Sequence, residues 1–232
     1  MTGRLATLVA HETRLQYRYG IYGAYAFVVA FYLAALAFGA GLLPPVFIAF
    51  VVYSDPAVLG FFFLGALMML EKAEGVRFAL SVSPVSASDY FWAKAAPLAL
   101  LGIAAVAVMT PLFHGAINWP LLLVAVLVTS LTYIGIGVPI ALRFHTVTGY
   151  LIGSIGVLLP VILPAFLAFL DPMPVWAMLV PTAAQLRLMM IGTGAASDGL
   201  WQIALMLAAA GIGMCAATWY AIRRLETEIG RK

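Results

Sequence analysis

Residues 119–142, WPLLLVAVLVTSLTYIGIGVPIAL, form a run of 24 residues without Asp, Glu, Lys or Arg. An α-helix rises about 1.5 Å per residue, so about 20 apolar residues cross the ~30 Å hydrocarbon core of a bilayer. The run therefore predicts a membrane-spanning helix. Composition agrees, because 65% of the chain is hydrophobic and 9% is charged, whereas a soluble domain carries about 25% charged residues.

The same length criterion finds five more spans on either side of this run. The six predicted spans are residues 21–43, 45–70, 95–113, 119–142, 147–170 and 200–222. Asp55 and Pro56 interrupt the second span, where we expect a broken or kinked helix. The predicted fold class is an all-α membrane protein in which residues 1–232 form a single transmembrane domain.

Basic residues predict the orientation, because Lys and Arg collect in cytoplasmic loops. Six spans place both termini on one side of the membrane. Of the twelve basic residues, eleven fall in segments on that side, and Arg187 lies alone on the other. Trp and Tyr residues near the span ends fit the same arrangement. We therefore expect a multi-pass protein of the inner (plasma) membrane with both termini in the cytoplasm.

Residues 1–20 predict an amphipathic elbow helix on the cytoplasmic membrane surface. At about 100° per residue, the polar side chains fall within a narrow arc and the leucines crowd towards another side. Two roles stay open for this helix. It anchors the chain to anionic lipid headgroups, or it also contacts a cytoplasmic partner. The polar arc comprises Arg4, Thr7, His11, Arg14 and Arg18.

Residues 171–198, between spans five and six, are too apolar for a solvated loop and too interrupted for a span. Pro174 can start a short helix that Pro181 ends, and Thr182 can cap a second helix that fades at the glycines after residue 191. We expect two outer half-helices here. They serve either as a plug over the bundle or as a gate above a central cavity.

Two ionisable residues stand in apolar surroundings. Asp55 falls in the outer half of span two, where we expect water to reach it. A structural role, capping the inner half of that span, is favoured over proton coupling. Arg187 is expected to extend to the membrane interface rather than to line a path.

Motifs for catalysis are missing from the sequence. It contains no HExxH, GxSxG or GxxxxGK[ST] pattern and no Cys or His cluster, and Cys215 is its single cysteine. The first three patterns carry metalloprotease, serine-hydrolase and ATP-binding chemistry. We therefore expect no catalytic residues, no metal site and no cofactor on this chain, which argues against an enzyme.

Residues 71–94, EKAEGVRFALSVSPVSASDYFWAK, form a polar island between spans two and three. The first part is predicted to continue span two as a helix to residue 80, with Gly75 as a weak point. Ser83 and Pro84 break that helix. Ser86 and Asp89 have the spacing of a capping box, which predicts a second helix that enters the membrane.

This island resembles the intracellular loop of ABC transporter permeases of type 2. Two further segments, RLQYRYG (14–20) and SDPAVLGFFFLGALMMLEKAEGV (54–76), are similar to the fluoroquinolone export permeases within that family. The family commonly has Gly-Thr-Leu where this chain has Gly-Val-Arg. The island residues that carry the resemblance are Glu71, Lys72, Glu74, Gly75, Leu80, Ser83, Pro84, Tyr90 and Lys94.

The resemblance implies a permease without its own ATPase site. A separate ABC ATPase, holding ATP and Mg²⁺, would dock on the elbow helix and on the coupling loop, residues 71–94. A second permease copy or a similar subunit would complete a path for an apolar or amphiphilic small molecule, such as a fluoroquinolone, and no nucleic acid is expected as a partner. The residues implied in coupling to the ATPase are Glu71, Glu74, Gly75, Arg77, Phe78, Leu80, Arg14 and Arg18.

Two alternatives stay open at this point. One is a membrane enzyme that modifies lipids, against which the missing catalytic motifs count. The other is an immunity or assembly factor that works by binding alone. An ATPase partner would separate the transporter from both.

Overall fold

A computed structural model describes residues 2–39, 42, 44–76, 85–109 and 116–229. Six of its helices, α2 to α6 and α9, are long and apolar enough to cross a membrane, which confirms the predicted all-α fold class with six spans. Arg77, Phe78 and Leu80 of the coupling loop lie outside the described residues. The described helices are α1 Thr2–Arg18, α2 Ile21–Phe38, α3 Pro45–Ala73, α4 Ala87–Met109, α5 Trp119–Arg143, α6 Val147–Phe169, α7 Val175–Met178, α8 Pro181–Gly192 and α9 Leu200–Ile229.

Helix α3 is not broken at Asp55 and Pro56, and its irregularity is the π-helical segment Leu59–Phe63, which follows them. Proline has no N–H for the preceding turn, and backbone groups inside a membrane must find partners within the protein. The helix nevertheless continues through Pro56, and the wider turn begins three residues later. Within it, the Phe61 carbonyl accepts a hydrogen bond from the Tyr150 hydroxyl of α6.

Two helix ends differ from the predicted spans. Helix α2 ends at Phe38 rather than at residue 43. A turn follows it, because the Gly39 carbonyl accepts from the Leu42 N–H at 2.9 Å, three residues later rather than four. Helix α3 ends at Ala73 rather than at residue 80. Gly75 has φ +74°, a left-handed conformation that glycine adopts at little cost and that ends a helix.

Helix α5 lies at the centre of the bundle because glycines let its neighbours approach closely. A Cβ on Gly135 would lie 2.7 Å from the backbone of Ala217 in α9. A Cβ on Gly60, in the π-helical segment of α3, would lie 2.7 Å from the backbone nitrogen of Ile134. As a result, 78% of the apolar window of α5 is buried, against 17% for α2, α6 and α9.

The segment between α6 and α9 carries two short helices, α7 and α8. Pro181 is the first residue of α8, so it starts the second helix, and Thr182 lies inside α8 rather than capping it as the sequence suggested. Proline suits that first position because an N–H there would have no helical partner, so its absence costs nothing. Helix α8 dips into the bundle, where Gln185 Nε2 donates to Thr132 Oγ1 of α5 at 2.8 Å.

Candidate functional site

A buried group of charges joins α1, α3 and α4 at the end of the bundle that carries α1. Lys94 Nζ lies 2.7 Å from Glu12 Oε1 and also pairs with Glu71 Oε1. The Tyr90 hydroxyl donates to Glu71 Oε2 at 2.6 Å. Lys94 and Glu71 are 2% exposed and Glu12 is 6% exposed. We call Glu12, Glu71, Tyr90 and Lys94 the ion cluster.

The local sequence explains why α4 supplies two members of the ion cluster. Ser86 Oγ accepts a hydrogen bond from the Asp89 N–H at 3.0 Å, so the predicted cap forms and the helix starts at Ala87. Tyr90 and Lys94 are then four residues apart on one face. The Lys94 ammonium lies 4.6 Å from the centre of the Tyr90 ring, in reach of a cation–π contact.

The ion cluster contains one cation and two carboxylates, so Lys94 supplies all of the positive charge that compensates Glu12 and Glu71. Burial raises the pKa of Glu12 above 4.5, the nearby Lys94 opposes that shift, and Glu71 adds to it. Among the described residues, Glu12 Oε2 has no hydrogen-bond partner. Removal of Lys94 would therefore leave two buried acids without a countercharge.

A second contact links α1 to the start of the coupling loop. The Tyr19 hydroxyl donates to Glu74 Oε2 at 2.6 Å, and this hydrogen bond is the main reason that the Tyr19 pKa rises to about 12. A cavity of about 360 Å³ lies between α1, the end of α3 and the start of α4. Its walls include Leu8, His11, Glu12, Leu15, Tyr19, Glu71, Glu74, Val76, Val85, Tyr90 and Ala93.

The residues implied in coupling fall into two groups within the described part of the chain. Arg14, Arg18, Glu74 and Gly75 are exposed at the end that carries α1. Glu71 is buried inside the ion cluster, so its side chain is not available to a docking partner. Its carboxylate instead contacts Lys94 and Tyr90.

Glu12 was missed in the reading of the sequence, although a signal for it exists. It lies four residues after Leu8 and three before Leu15, which places it on the apolar face of α1 rather than in the polar arc. A carboxylate on the buried face of an amphipathic helix needs a partner. Lys94, at the start of a span, has the complementary charge.

Asp55 is fully buried, so the expectation that water reaches it was wrong. Its Oδ2 accepts a hydrogen bond from the Tyr25 hydroxyl of α2 at 2.6 Å. It does not cap an inner half-helix, because α3 continues through it. The contact instead ties the peripheral helix α2 to α3.

Arg187 does not extend to the membrane interface, because it is 2% exposed. Its Nε lies 2.6 Å from Asp198 Oδ2, and its Nη2 lies 3.1 Å from Asp198 Oδ1, which is a two-point pair. Its Nη1 donates to the Ala168 carbonyl at 3.1 Å. Arg187 therefore fixes α8 to the segments before and after it.

Comparisons with known proteins agree on one family. The model of the fluoroquinolones export permease protein family matches residues 3–227. Two curated relatives, the fluoroquinolones export permease proteins of Mycobacterium tuberculosis strains CDC 1551 and H37Rv, are each 29% identical over 203 residues, which is 86% of this chain and 85% of theirs. No solved structure matches the chain significantly.

Proposed function

The chain belongs to the fluoroquinolones export permease protein family, and from this premise we propose that it is the membrane-spanning subunit of an ATP-driven exporter. A separate ABC ATPase binds and hydrolyses ATP with Mg²⁺, and the permease converts that stroke into movement of its helices. A second copy, or a similar subunit, completes the translocation path. The chain lies in the inner membrane with both termini in the cytoplasm.

The observation that supports coupling best is the ion cluster. It connects the helix before the first span with the end of span two and the start of span three, through Glu12, Glu71 and Lys94. Breaking a buried ion pair by removing one partner costs about 3–5 kcal/mol. Movement of α1 would therefore move α3 and α4 with it, because the ion cluster holds the three helices together.

The proposed contact surface for the ATPase surrounds the ion cluster. Arg14 and Arg18 on α1 and Glu74 at the end of α3 are exposed there and carry both signs of charge. Arg77, Phe78 and Leu80 are included in this proposed surface on the sequence resemblance alone. Exposed charges of this kind govern partner choice and association rate more than affinity.

The proposed cargo is an apolar or amphiphilic small molecule such as a fluoroquinolone. The names of the two mycobacterial relatives support this class.

Site-directed cross-linking in native membranes tests the ATPase contact. The exposed Cys215 is first replaced by Ala, and Arg14→Cys or Glu74→Cys then places a single thiol at the proposed surface. Each should cross-link to an ATP-binding protein that mass spectrometry identifies. Val175→Cys, exposed at the opposite end of the bundle, is the matched control and should give no such product. Equal products from Val175→Cys, or none from either test site, would contradict the proposal.

A further inference from the structure

A groove runs along the outside of α5, α6 and α9 at the end of the bundle where α5 and α9 finish. It holds about 200 Å³, and a second cavity of about 150 Å³ lies beside it, since Pro139 and Arg143 line both. We call it the lateral groove. Its walls include Gly135, Pro139, Arg143, Val157 and Tyr220, and the second cavity adds Arg224 and Glu228.

The lateral groove has the length of a hydrocarbon chain segment. Gly135, Pro139 and Arg143 are spaced four residues apart, so they follow one face of α5. Eight residues of helix span about 12 Å, which is most of one leaflet of the ~30 Å hydrocarbon core. Val157 and Tyr220 are exposed on the side walls, so the groove opens towards lipid.

The end of the groove is cationic. Arg143 and Arg224 are exposed and line the second cavity together with the acid Glu228. Arg224 is held in place, because its Nε donates to the Tyr220 hydroxyl at 3.0 Å and its guanidinium lies 5.1 Å from that ring. Arg223 does not line the groove and lies 3.7 Å from Glu226.

We propose that the lateral groove binds one anionic phospholipid, with an acyl chain against α5 and its phosphate between Arg143 and Arg224. Guanidinium groups match phosphate geometry in two-point hydrogen bonds, and basic pockets between membrane helices bind acidic headgroups. An apolar wall that ends in two arginines complements both parts of such a lipid. The site is independent of the proposed transport activity, because it uses none of the ion-cluster residues.

Native mass spectrometry tests the site. The full chain is placed in nanodiscs of equal phosphatidylglycerol and phosphatidylcholine, released into mild detergent, and weighed with its retained lipid. One phosphatidylglycerol per chain should be retained in preference to phosphatidylcholine. Arg143→Gln and Arg224→Gln should each lower that preference about fivefold, and the double variant roughly 30-fold. Arg223→Gln is the matched control and should leave it unchanged.

Two further measurements make the result independent of the arginine variants. Val157→Trp fills the groove and should abolish retention, whereas Ile155→Trp, on the opposite face of α6, should not. In the unmodified protein, retention should fall as salt rises from about 0.05 M to about 0.5 M, since the Debye length shortens over that range.

Several outcomes would overturn the proposal. Equal retention of phosphatidylcholine would show that the arginines do not select a headgroup. An equal loss in Arg223→Gln would show a general surface attraction. The same spectra report subunit number, so lipid loss confined to dimers would assign the groove to a second copy, and displacement by a fluoroquinolone would assign it to the cargo.

Discussion

Replacement of Lys94 by methionine is the perturbation for which the structure gives the clearest expectation. The substitution keeps much of the side-chain volume and removes the charge that Glu12 and Glu71 share. Both carboxylates stay buried, with exposures of 6% and 2%. The variant therefore measures the cost of two acids without their cation.

The expected loss is about 3–5 kcal/mol, the cost of breaking a buried pair from one side. For a chain of this size, such a loss lowers the midpoint of thermal unfolding in detergent micelles by roughly 10 °C. The triple variant Glu12→Gln/Glu71→Gln/Lys94→Met removes all three charges and should recover most of the loss, because a buried pair replaced on both sides costs little. Arg18→Met, an exposed cation on α1, should shift the midpoint very little.

The loss in Lys94→Met should also depend on pH. The pKa of Glu12 is raised above 4.5 in the folded protein, mainly by burial, and Lys94 holds it down. An acid with a raised folded pKa loses stability as pH rises from 4.5 through that pKa, and loss of Lys94 raises the pKa further. The deficit against the unmodified protein should therefore be smaller at about pH 5 than at about pH 8. An unchanged midpoint, an equal deficit at both pH values, or no recovery in the triple variant would refute this account of the ion cluster.

Three other predictions concern packing and buried partners. Gly60→Ala puts a Cβ 2.7 Å from the backbone of Ile134 and should cost about 1–3 kcal/mol. Gly211→Ala, with nothing within 4 Å, should not destabilise the fold. Equal midpoints of thermal unfolding for the two variants would show that α3 and α5 move apart to fit the added methyl group. Arg187→Met leaves Asp198 buried without its pair and should cost about 3–5 kcal/mol. Arg223→Met, which removes an exposed cation, should cost almost nothing. Similar midpoints of thermal unfolding for the two variants would contradict the role given to Arg187. Tyr150→Phe removes the donor to the Phe61 carbonyl and should cost about 1–3 kcal/mol by the same assay, and no change would mean that this carbonyl has another partner.

Spans were predictable because the physical signal for them is local. The length and apolarity of residues 119–142 are visible in that segment alone and predict a span. The corresponding helix, α5, covers Trp119–Arg143. The start of α4 was predictable for a similar reason, since Ser86 and Asp89 form the cap among themselves. Each of these features depends on residues within a few positions of one another.

The ion cluster was not predicted as a unit because its members are far apart in sequence. Glu12 and Lys94 are 82 positions apart, and their contact depends on how α1 packs against α4. Neither apolar periodicity nor family resemblance specifies that packing. The resemblance pointed to Glu71 as a coupling residue, but only the fold shows that Glu71 is buried, so its proposed part in coupling would act through Lys94 and Tyr90.

Asp55 and Arg187 were misread for a related reason. An ionisable residue beside a proline or in a loop is expected to reach water, because burial of a bare charge is costly. Arg187 instead has the carboxylate of Asp198, and Asp55 has the hydroxyl of Tyr25. These partners offset the cost of burial. They lie on other elements of the fold, so the sequence alone does not show that they are in contact.

Transport in proteoliposomes tests the central claim most directly. Vesicles that contain this chain and the ATP-binding protein recovered with it should accumulate a fluoroquinolone when ATP and Mg²⁺ are supplied on the ATPase side. Accumulation should vanish without ATP or without the ATPase, and a proton gradient alone should not restore it. Accumulation driven by the gradient without ATP, or none under any condition, would contradict an ATP-driven export permease.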